Sequence, residues 1–398
     1  MARSKSPVHQ GLDGSRFVHG SQHKPLTPKD EKPRPITDSW YAEIEIFPAF
    51  DYAREKHVTT LHQESHTAKD VGSKMATFHS KDFKLQLDVA VEDNDDGQGG
   101  PCVAFKKVLR KDGCLGEGLV ARINIREGQT VSFVLRNDIP NHITTDITPL
   151  VLDGQQHDTQ SFWFNFIAQS KYRGRWMEVV TRSLMILKML TYGKQLPMIR
   201  EGGEYLWERQ LKVLAEPTGA IVAAPTFSIP EDIGGRRNWD YRYSWIRDSS
   251  FSIYILLRLG FRAEADAYMN FIMERFVHSR LPDGGLPIMF TIRGGTDIPE
   301  TTLDHLEGYR GSRPVRIGNE AAFHHQFDIY GELMDAIYLY NKYGRPVHWE
   351  VWKAVREMLG EYLLAHHTAH SRYTDGEFRC LDYVLTIMHR KFSPKGSK

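Results

Sequence analysis

The chain has 398 residues, which is too long for a single ordinary core, and its composition is that of a globular protein, so we expect two domains. Its 51 Lys and Arg residues balance 50 Asp and Glu residues, which leaves no electrostatic argument for a nucleic-acid or anionic-membrane partner. Cys102, Cys114 and Cys380 have no metal-site spacing and are expected to be free thiols. Residues 1–35 have no signal-peptide pattern, so we expect a cytoplasmic protein.

Residues 1–38 are polar and without period, which predicts a disordered tail. Strand patterns dominate residues 39–160, and the sequence predicts an antiparallel β-sandwich there. Two segments, 120–125 and 130–136, flank a turn and predict a β-hairpin. A half-buried strand is predicted where apolar residues alternate with mostly polar ones, at Phe83, Leu85, Leu87, Val89 and Val91.

Helical patterns follow the strands, at 162–168, 176–190, 249–259, 263–276, 320–340 and 349–364. Residues 249–259 are almost continuously apolar, which predicts burial on all sides. Residues 263–276 carry one apolar stripe, which predicts an amphipathic helix. An inner and an outer helix of an α/α barrel would show this pair of patterns, and a plain helical bundle fits them as well.

The densest chemistry lies in the fifteen residues Gly234–Asp248, which hold four aromatic rings, four arginines and two carboxylates. The C–H face of a pyranose packs on an aromatic ring, and charged groups make strong bidentate hydrogen bonds to its hydroxyls. This composition is therefore typical of a sugar pocket. The segment also resembles the signature of the glucoamylase-like glycoside hydrolases of family 15. Similar resemblances occur at 218–226, 228–231, 305–319 and 328–332.

The resemblance implies a β-sandwich N-terminal domain followed by an all-α (α/α)6 toroid, here truncated to about its first half. The corresponding boundaries are a sandwich at 39–160, linker helices at 161–225, the partial barrel at 226–365 and an atypical tail at 366–398. The family hydrolyses α-glucosidic bonds from the non-reducing end with inversion, on trehalose or α-glucans, and needs no cofactor or metal. The implied partner is an α-glucoside substrate, with no nucleic acid and no membrane.

Six residues match the family's substrate-binding positions. Arg247 and Asp248 correspond to the pair that binds the terminal glucose. The aromatic residues of the same subsite correspond to Tyr241 and Trp245, and the loop on the pocket's other side contains Arg313 and Arg316.

Several residues in these segments also have a structural interpretation. Asp248 is a candidate N-cap for the helix that follows, with Arg247 as its ion-pair partner. Tyr243 and Trp239 are expected to pack in the core. Glu231 and Glu300 are interpreted as structural hydrogen-bond acceptors rather than catalytic carboxylates.

The catalytic residues stay unknown, because neither the family's Trp-Glu-x-Arg acid segment nor its base is found in the sequence. The segment 194–216 interrupts the resemblance, and we interpret it as a retained intron or a surface loop. The tail is interpreted as a frameshift or premature end. Its three histidines, His366, His367 and His370, have no carboxylate at a matching spacing, so no metal is predicted.

Three functional hypotheses remain. The first is an inverting exo-hydrolase of α-glucosides, and the second is a non-catalytic carbohydrate-binding remnant. The third is an incomplete product with no function of its own. The sequence does not predict an oligomeric state or select one α-glucoside.

Overall fold

The computed structural model describes residues 16–17, 39–62, 75–81, 83–92, 100–109, 115–137, 147–193, 200–201, 204–205, 218–278, 281, 285–324, 326, 328–349 and 352–357. The chain divides into two compact units, Met1–Gln156 and His157–Lys398. Strands dominate the described residues of the first unit, and helices and loops dominate those of the second.

The first unit is built from two antiparallel sheets. Its strands are β1 (Arg16–Phe17), β2 (Ser39–Ile46), β3 (Val58–His62), β4 (Met75–Ser80), β5 (Phe83–Glu92), β6 (Phe105–Leu109), β7 (Glu117–Arg126) and β8 (Thr130–Asn137). One sheet has the order β1-β8-β5-β4-β3 and the other has the order β2-β7-β6. Phe78 and Leu87 from the larger sheet share one core with Phe105 and Leu119 from the smaller. The predicted antiparallel β-sheet architecture is confirmed here.

Strand β5 lies where the alternating pattern predicts it, but its centre is buried on both faces. Leu87 and Val89 face the shared core, whereas Gln86 and Asp88 on the opposite face are also buried. Asp88 lies 2.8 Å from Nε of Arg136 on β8, and the Gln86 amide donates to Asp88 at 2.8 Å. Because these polar groups satisfy one another, both faces can be buried, and the prediction of a half-buried strand is wrong for the centre of β5.

The connection between β7 and β8 is a turn as predicted, but the two strands do not form a hairpin. Gln129 N donates to Arg126 O at 3.1 Å, while β7 pairs with β2 and β6, and β8 pairs with β5 and β1. Ile123 on β7 and Phe133 on β8 lie in the same core. Strands placed in opposite sheets bury both apolar faces against each other, which explains why the hairpin prediction is wrong.

Helices follow the sheets. The bounded ones are α1 (Pro149–Ala168), α2 (Met177–Leu190), α3 (Ile246–Leu259), α4 (Arg262–His278) and α5 (Asp328–Tyr343). Residues 352–357 are also helical. The pattern at 320–340 resolves into a 3-10 turn, Glu320–Phe323, and then α5. Helix α1 begins at Pro149, ahead of the predicted start at residue 162, and proline is favoured at a first helical position.

Helices α3, α4 and α5 pack against one another around the core of the second unit. The predicted stripe of α4 is buried, with Tyr268 and Phe271 almost fully enclosed. Helix α3 is not buried on all sides, because Phe251 is 58% exposed and Tyr254 and Ile255 are each 40% exposed. The expectation of all-round burial is therefore wrong within the described residues, and the (α/α)6 toroid stays a prediction.

Helices α2 and α4 are joined by a buried ion pair. Lys188 Nζ lies 2.8 Å from Glu264 Oε1, and the two side chains are 15% and 7% exposed. The same ammonium lies 5.7 and 5.6 Å from the ring centroids of Phe162 and Phe166 on α1. The charge of Lys188 is thus enclosed by one carboxylate and two aromatic faces.

Several sequence predictions fall outside the described residues. These are the tail 366–398 and most of the segment 194–216, where only the short strands β9 (Arg200–Glu201) and β10 (Glu204–Tyr205) are described. Of the tail predicted at 1–38, only Arg16–Phe17 are described, and they pair with β8. Among the cysteines, Cys102 lies in the described part and is exposed. No helix of the described ranges combines the length and apolar character needed to cross a bilayer.

Candidate functional site

The motif Gly234–Asp248 ends at the start of helix α3. Strand β11 (Ser244–Trp245) pairs with β12 (Met289–Phe290), and Trp245 has the extended backbone of the residue that precedes the helix. The next residues, Ile246, Arg247 and Asp248, form the first helical turn. Asp248 therefore lies in the first turn of the helix and is not its N-cap. The helix dipole favours a negative charge in that first turn.

Arg247 is the centre of a charged cluster between α3 and α5. Its Nη1 lies 2.9 Å from Oδ2 of Asp328 and donates to Oε1 of Gln326 at 3.0 Å. Its Nε lies 3.5 Å from Oδ2 of Asp248. Arg247, Asp328 and Asp248 each keep about a third or more of their side-chain surface exposed, at 35%, 35% and 43%. The cluster is fixed by its contacts and still open to a ligand.

A third carboxylate, Glu332, lies one turn beyond Asp328 on α5. Burial and the negative charges of Asp328 and Asp248 raise the pKa of Glu332 to about 7. The positive charge of Arg247 acts in the opposite direction. No donor in the described residues reaches its Oε2, which is buried. The pKa of Arg247 is raised by Asp328, Asp248 and Glu332, although burial opposes that rise. Three carboxylates thus share one guanidinium.

The Asp240 carboxylate joins the motif to the loop 305–319. It is fully buried and accepts hydrogen bonds from Nε and Nη2 of Arg242 at 2.9 and 2.8 Å. It also accepts from the Gly318 N–H at 3.2 Å, and its main-chain carbonyl accepts from the Asn319 side chain at 3.0 Å. The motif is therefore tied to the loop 305–319, as two walls of one site would be.

Loop 305–319 is held to the motif at further points. The Asn238 side chain, which is fully buried, donates to Pro314 O at 3.1 Å, and Gly234 N donates to Ser312 Oγ at 2.9 Å. Gly318 has a φ of +75°, and a Cβ there would lie 1.9 Å from Pro299 O. Only glycine fits this conformation and this contact.

Arg316 and Arg313 have different environments in that loop. Arg316 Nε lies 2.8 Å from Oε1 of Glu300, and its guanidinium carbon lies 4.8 Å from the ring centroid of Trp239. Its Nη1 donates to Arg236 O at 2.7 Å. Arg313 is exposed. The structure therefore uses Arg316 to join two loops, as the structural interpretation of Glu300 anticipates, and leaves Arg313 at the surface.

Three aromatic residues of the motif form a cluster of tilted and edge-to-face rings. The rings of Tyr241 and Trp245 are 6.1 Å apart, and those of Tyr243 and Trp245 are 6.5 Å apart. Trp245 is only 6% exposed and belongs to the core, whereas Tyr241 is partly buried. Burial and the neighbouring Glu231 carboxylate raise the pKa of Tyr241, which keeps its hydroxyl protonated. Tyr241 is the ring of the predicted pair with more surface to offer a ligand.

Sequence reasoning paired Arg247 with Asp248 but gave no role to Gln326, Asp328 or Glu332. The available signal was the spacing of Asp328 and Glu332, which at i and i+4 share one helix face. Nothing local in the sequence indicates that this face meets Arg247, which is 81 residues away. The described residues contain no group of three His, Cys, Asp or Glu side chains that could hold a metal ion.

Comparison with known proteins finds one family whose sequence profile matches part of this chain. The sequence profile of the glycosyl hydrolases family 15 matches residues 207–370, a span that contains the motif, the loop 305–319 and α5. This part of the chain is similar to that family. The match begins inside the segment 194–216 that we interpreted as an interruption.

Proteins that are similar to this chain include several named trehalase. The trehalase of Thermoplasma acidophilum is 39% identical over 208 residues, which are 52% of this chain and 31% of that protein. The trehalase of Mycolicibacterium smegmatis is 38% identical over 186 residues, which are 47% of this chain and 24% of that protein. Trehalase 1 of Sulfolobus acidocaldarius is 42% identical over 149 residues, which are 36% of this chain and 26% of that protein.

The chain thus spans about a quarter to a third of the length of these curated relatives. No solved structure matches the chain. The comparisons therefore support the family from sequence.

Proposed function

We propose that this chain is a member of glycosyl hydrolases family 15 that binds the non-reducing glucose of an α-glucoside and contributes to its hydrolysis, with trehalose as the preferred substrate. The observation that carries the proposal is the Arg247–Asp248 pair at the start of α3, whose side chains are 35% and 43% exposed and whose arginine is held by Asp328 on α5. Relatives named trehalase support the choice of trehalose over a longer glucan.

The chemistry of the pair suits a sugar. A guanidinium donates to adjacent hydroxyl oxygens, and a carboxylate accepts from hydroxyl hydrogens, so together they bind one edge of a pyranose. The Asp248 side chain is 43% exposed, so its carboxylate has surface available to a sugar hydroxyl although Oδ2 itself is buried. We include Tyr241 in the proposed site as its aromatic surface, because its ring is partly buried and lies 6.1 Å from that of Trp245, two residues before Arg247.

The reaction in this proposal is exo-hydrolysis with inversion. Inversion needs a carboxylic acid at the leaving oxygen and a carboxylate that activates water, about 6.5 to 9.5 Å apart. We assign neither role within this chain, and we assign Arg247 and Asp248 to substrate binding. The loop 305–319, with Arg313 exposed, forms the opposite wall. A cytoplasmic location is part of the same proposal.

The test combines calorimetric binding of trehalose with a coupled assay for released glucose, on the full chain. Asp248→Asn keeps the shape of the side chain and removes its charge, so the affinity should fall about tenfold to a hundredfold. The matched control is Glu178→Gln on α2, whose side chain is 78% exposed, and its affinity should equal that of the wild type.

The outcomes separate the hypotheses. Glucose release that is lost in Asp248→Asn supports the hydrolase. Saturable trehalose binding without release favours the carbohydrate-binding alternative and removes the hydrolytic part of the proposal. A folded chain that binds no trehalose, glucose or maltose refutes the proposal as a whole.

A further inference from the structure

The cluster around Arg247 has more negative than positive charge. Asp248 and Asp328 lie 3.5 and 2.9 Å from the guanidinium, and Glu332 is coupled to all three groups. One guanidinium can balance one carboxylate, so three ionised carboxylates would leave a net charge of about −2 in a partly buried site. The arrangement is stable only if one carboxylate keeps its proton or a ligand supplies donors.

Glu332 is the carboxylate that is best placed to keep a proton. Its Oε2 is buried, and no donor among the described residues reaches it, whereas Asp328 has a direct ion pair with Arg247. A charge on an unpartnered buried oxygen is poorly solvated, which favours the neutral acid. The Asp248 Oδ2 is also buried and without a hydrogen bond from the described residues.

We propose that Glu332 is a positioning residue for the sugar-binding pair: with its proton bound, it leaves the Arg247 guanidinium to Asp328 and to the ligand. The proposal rests on the function proposed above and adds a residue to the same site. Glu332 acts through Arg247, because its own Oε2 is buried away from a substrate.

Loss of the proton reverses this arrangement. An ionised Glu332 competes with Asp328 for the same guanidinium and draws it toward α5, away from the ligand side of Asp248. The charged groups that act on the Glu332 carboxyl in the described residues are Asp328 on its own helix and Arg247 and Asp248 on α3. From α4, Tyr268 hydrogen-bonds Ser249 beside Asp248 and stays neutral, because burial raises its pKa.

The consequence is a defined pH dependence. Glu332 is protonated below pH about 7 and ionised above it. Since protonated Glu332 leaves the Arg247 guanidinium to Asp328 and the ligand, trehalose should bind more tightly at pH 5.5 than at pH 8.5. The loss of one charge-assisted hydrogen bond corresponds to about a tenfold weaker Kd at the higher pH.

The experiment measures the Kd for trehalose at pH 5.5 and 8.5 by calorimetry for the wild type and Glu332→Gln. Glutamine mimics the protonated acid, so the variant should bind with nearly the same Kd at both pH values. At pH 8.5 it should bind about tenfold more tightly than the wild type. A variant that is merely destabilised cannot gain affinity. Glu178→Gln, exposed on α2, should keep the pH profile of the wild type.

A second measurement covers the case in which Glu332→Gln does not fold. Carbon-13 NMR of the wild type follows the Glu332 carboxyl with and without trehalose, and by linkage the sugar should raise the pKa of Glu332 above its ligand-free value. An unchanged pKa in the presence of bound sugar overturns the proposal. So does a Glu332→Gln variant that keeps the pH dependence of the wild type. Trehalose binding by the wild type with no pH dependence removes the role of Glu332 alone, whereas no binding at either pH refutes the proposed function as well.

Discussion

Arg242 clamps the fully buried carboxylate of Asp240 with two hydrogen bonds of 2.9 and 2.8 Å, two residues along the same segment. The same carboxylate accepts from the Gly318 N–H at 3.2 Å, and the Arg242 guanidinium carbon lies 4.4 Å from the Phe227 ring centroid. One carboxylate thus orders both the motif and the loop 305–319.

Replacement of Asp240 by Asn should therefore destabilise the chain. Asparagine keeps the volume but cannot balance the charge of Arg242, and breaking a buried pair costs about 3 kcal/mol. Urea unfolding of Asp240→Asn checks this value. Glu178→Gln on α2 removes one partner of an exposed pair and should cost about 0.5 kcal/mol or less. Equal midpoints for the two variants would contradict the role given to Asp240.

Two glycines of the same loop provide a matched test of its geometry. Gly318 and Gly311 have φ values of +75° and +74°, but a Cβ at Gly318 would meet Pro299 O at 1.9 Å, whereas a Cβ at Gly311 meets nothing within 4 Å. Gly311→Ala should cost about 1 to 2 kcal/mol from backbone strain alone. Gly318→Ala should cost clearly more, because the main chain must also move. Thermal melts rank the two, and the opposite order would show that the loop is packed differently.

The buried pair of Lys188 and Glu264 predicts strong coupling between α2 and α4. Lys188→Met leaves the Glu264 carboxylate buried without its ammonium partner, at a cost of about 3 kcal/mol. The double change Lys188→Met with Glu264→Leu removes both charges and should recover most of that loss. Denaturant midpoints of the two single variants and the double variant form the cycle. Additive costs would argue that the pair is not coupled.

Because the imidazole of His57 is buried, we expect the first unit to lose stability in acid. Burial lowers the pKa of its imidazole, although the hydrogen bond to Glu117 O acts in the opposite direction, and its Nδ1 is buried with no partner among the described residues. The unfolded chain takes up a proton near pH about 6.5, whereas the folded chain resists it. Stability is therefore full above that pH and falls as the pH drops.

The measurement compares melting temperatures at pH 7.5 and 5.5. Glutamine at position 57 keeps an N–H donor for Glu117 O and does not titrate, so His57→Gln should show a smaller drop than the wild type. The control His348→Gln changes an exposed histidine and should keep the full drop. If all three proteins lose the same amount, His57 is not the source of the acid sensitivity.

The elements that the sequence predicts well are those whose pattern is local. The stripe of Tyr268 and Phe271 predicts the buried face of α4, and the alternation from Phe83 places β5. The sequence does not predict that β7 and β8 join different sheets. A turn motif indicates that the chain reverses, but it does not indicate which sheet each strand joins. That choice depends on where Ile123 and Phe133 find their partners.

The site shows the same division between local and distant information. Arg247 and Asp248 are adjacent in the sequence, so their pairing could be predicted from it. Asp328 and Glu332 reach Arg247 only through the packing of α3 on α5, which residue types alone do not reveal. Trp245 was predicted at the sugar subsite, but the β11–β12 pairing turns it into the core, a constraint set by residues more than 40 positions away.

The central claim is that a sugar binds at Arg247 and Asp248. Calorimetric titration of the full chain with trehalose, for the wild type and Arg247→Ala, tests it most directly, with Arg182→Ala on α2 as an exposed arginine control. We expect saturable binding by the wild type and the control, and at least about a tenfold weaker Kd for Arg247→Ala. Equal affinity in all three folded proteins would contradict it.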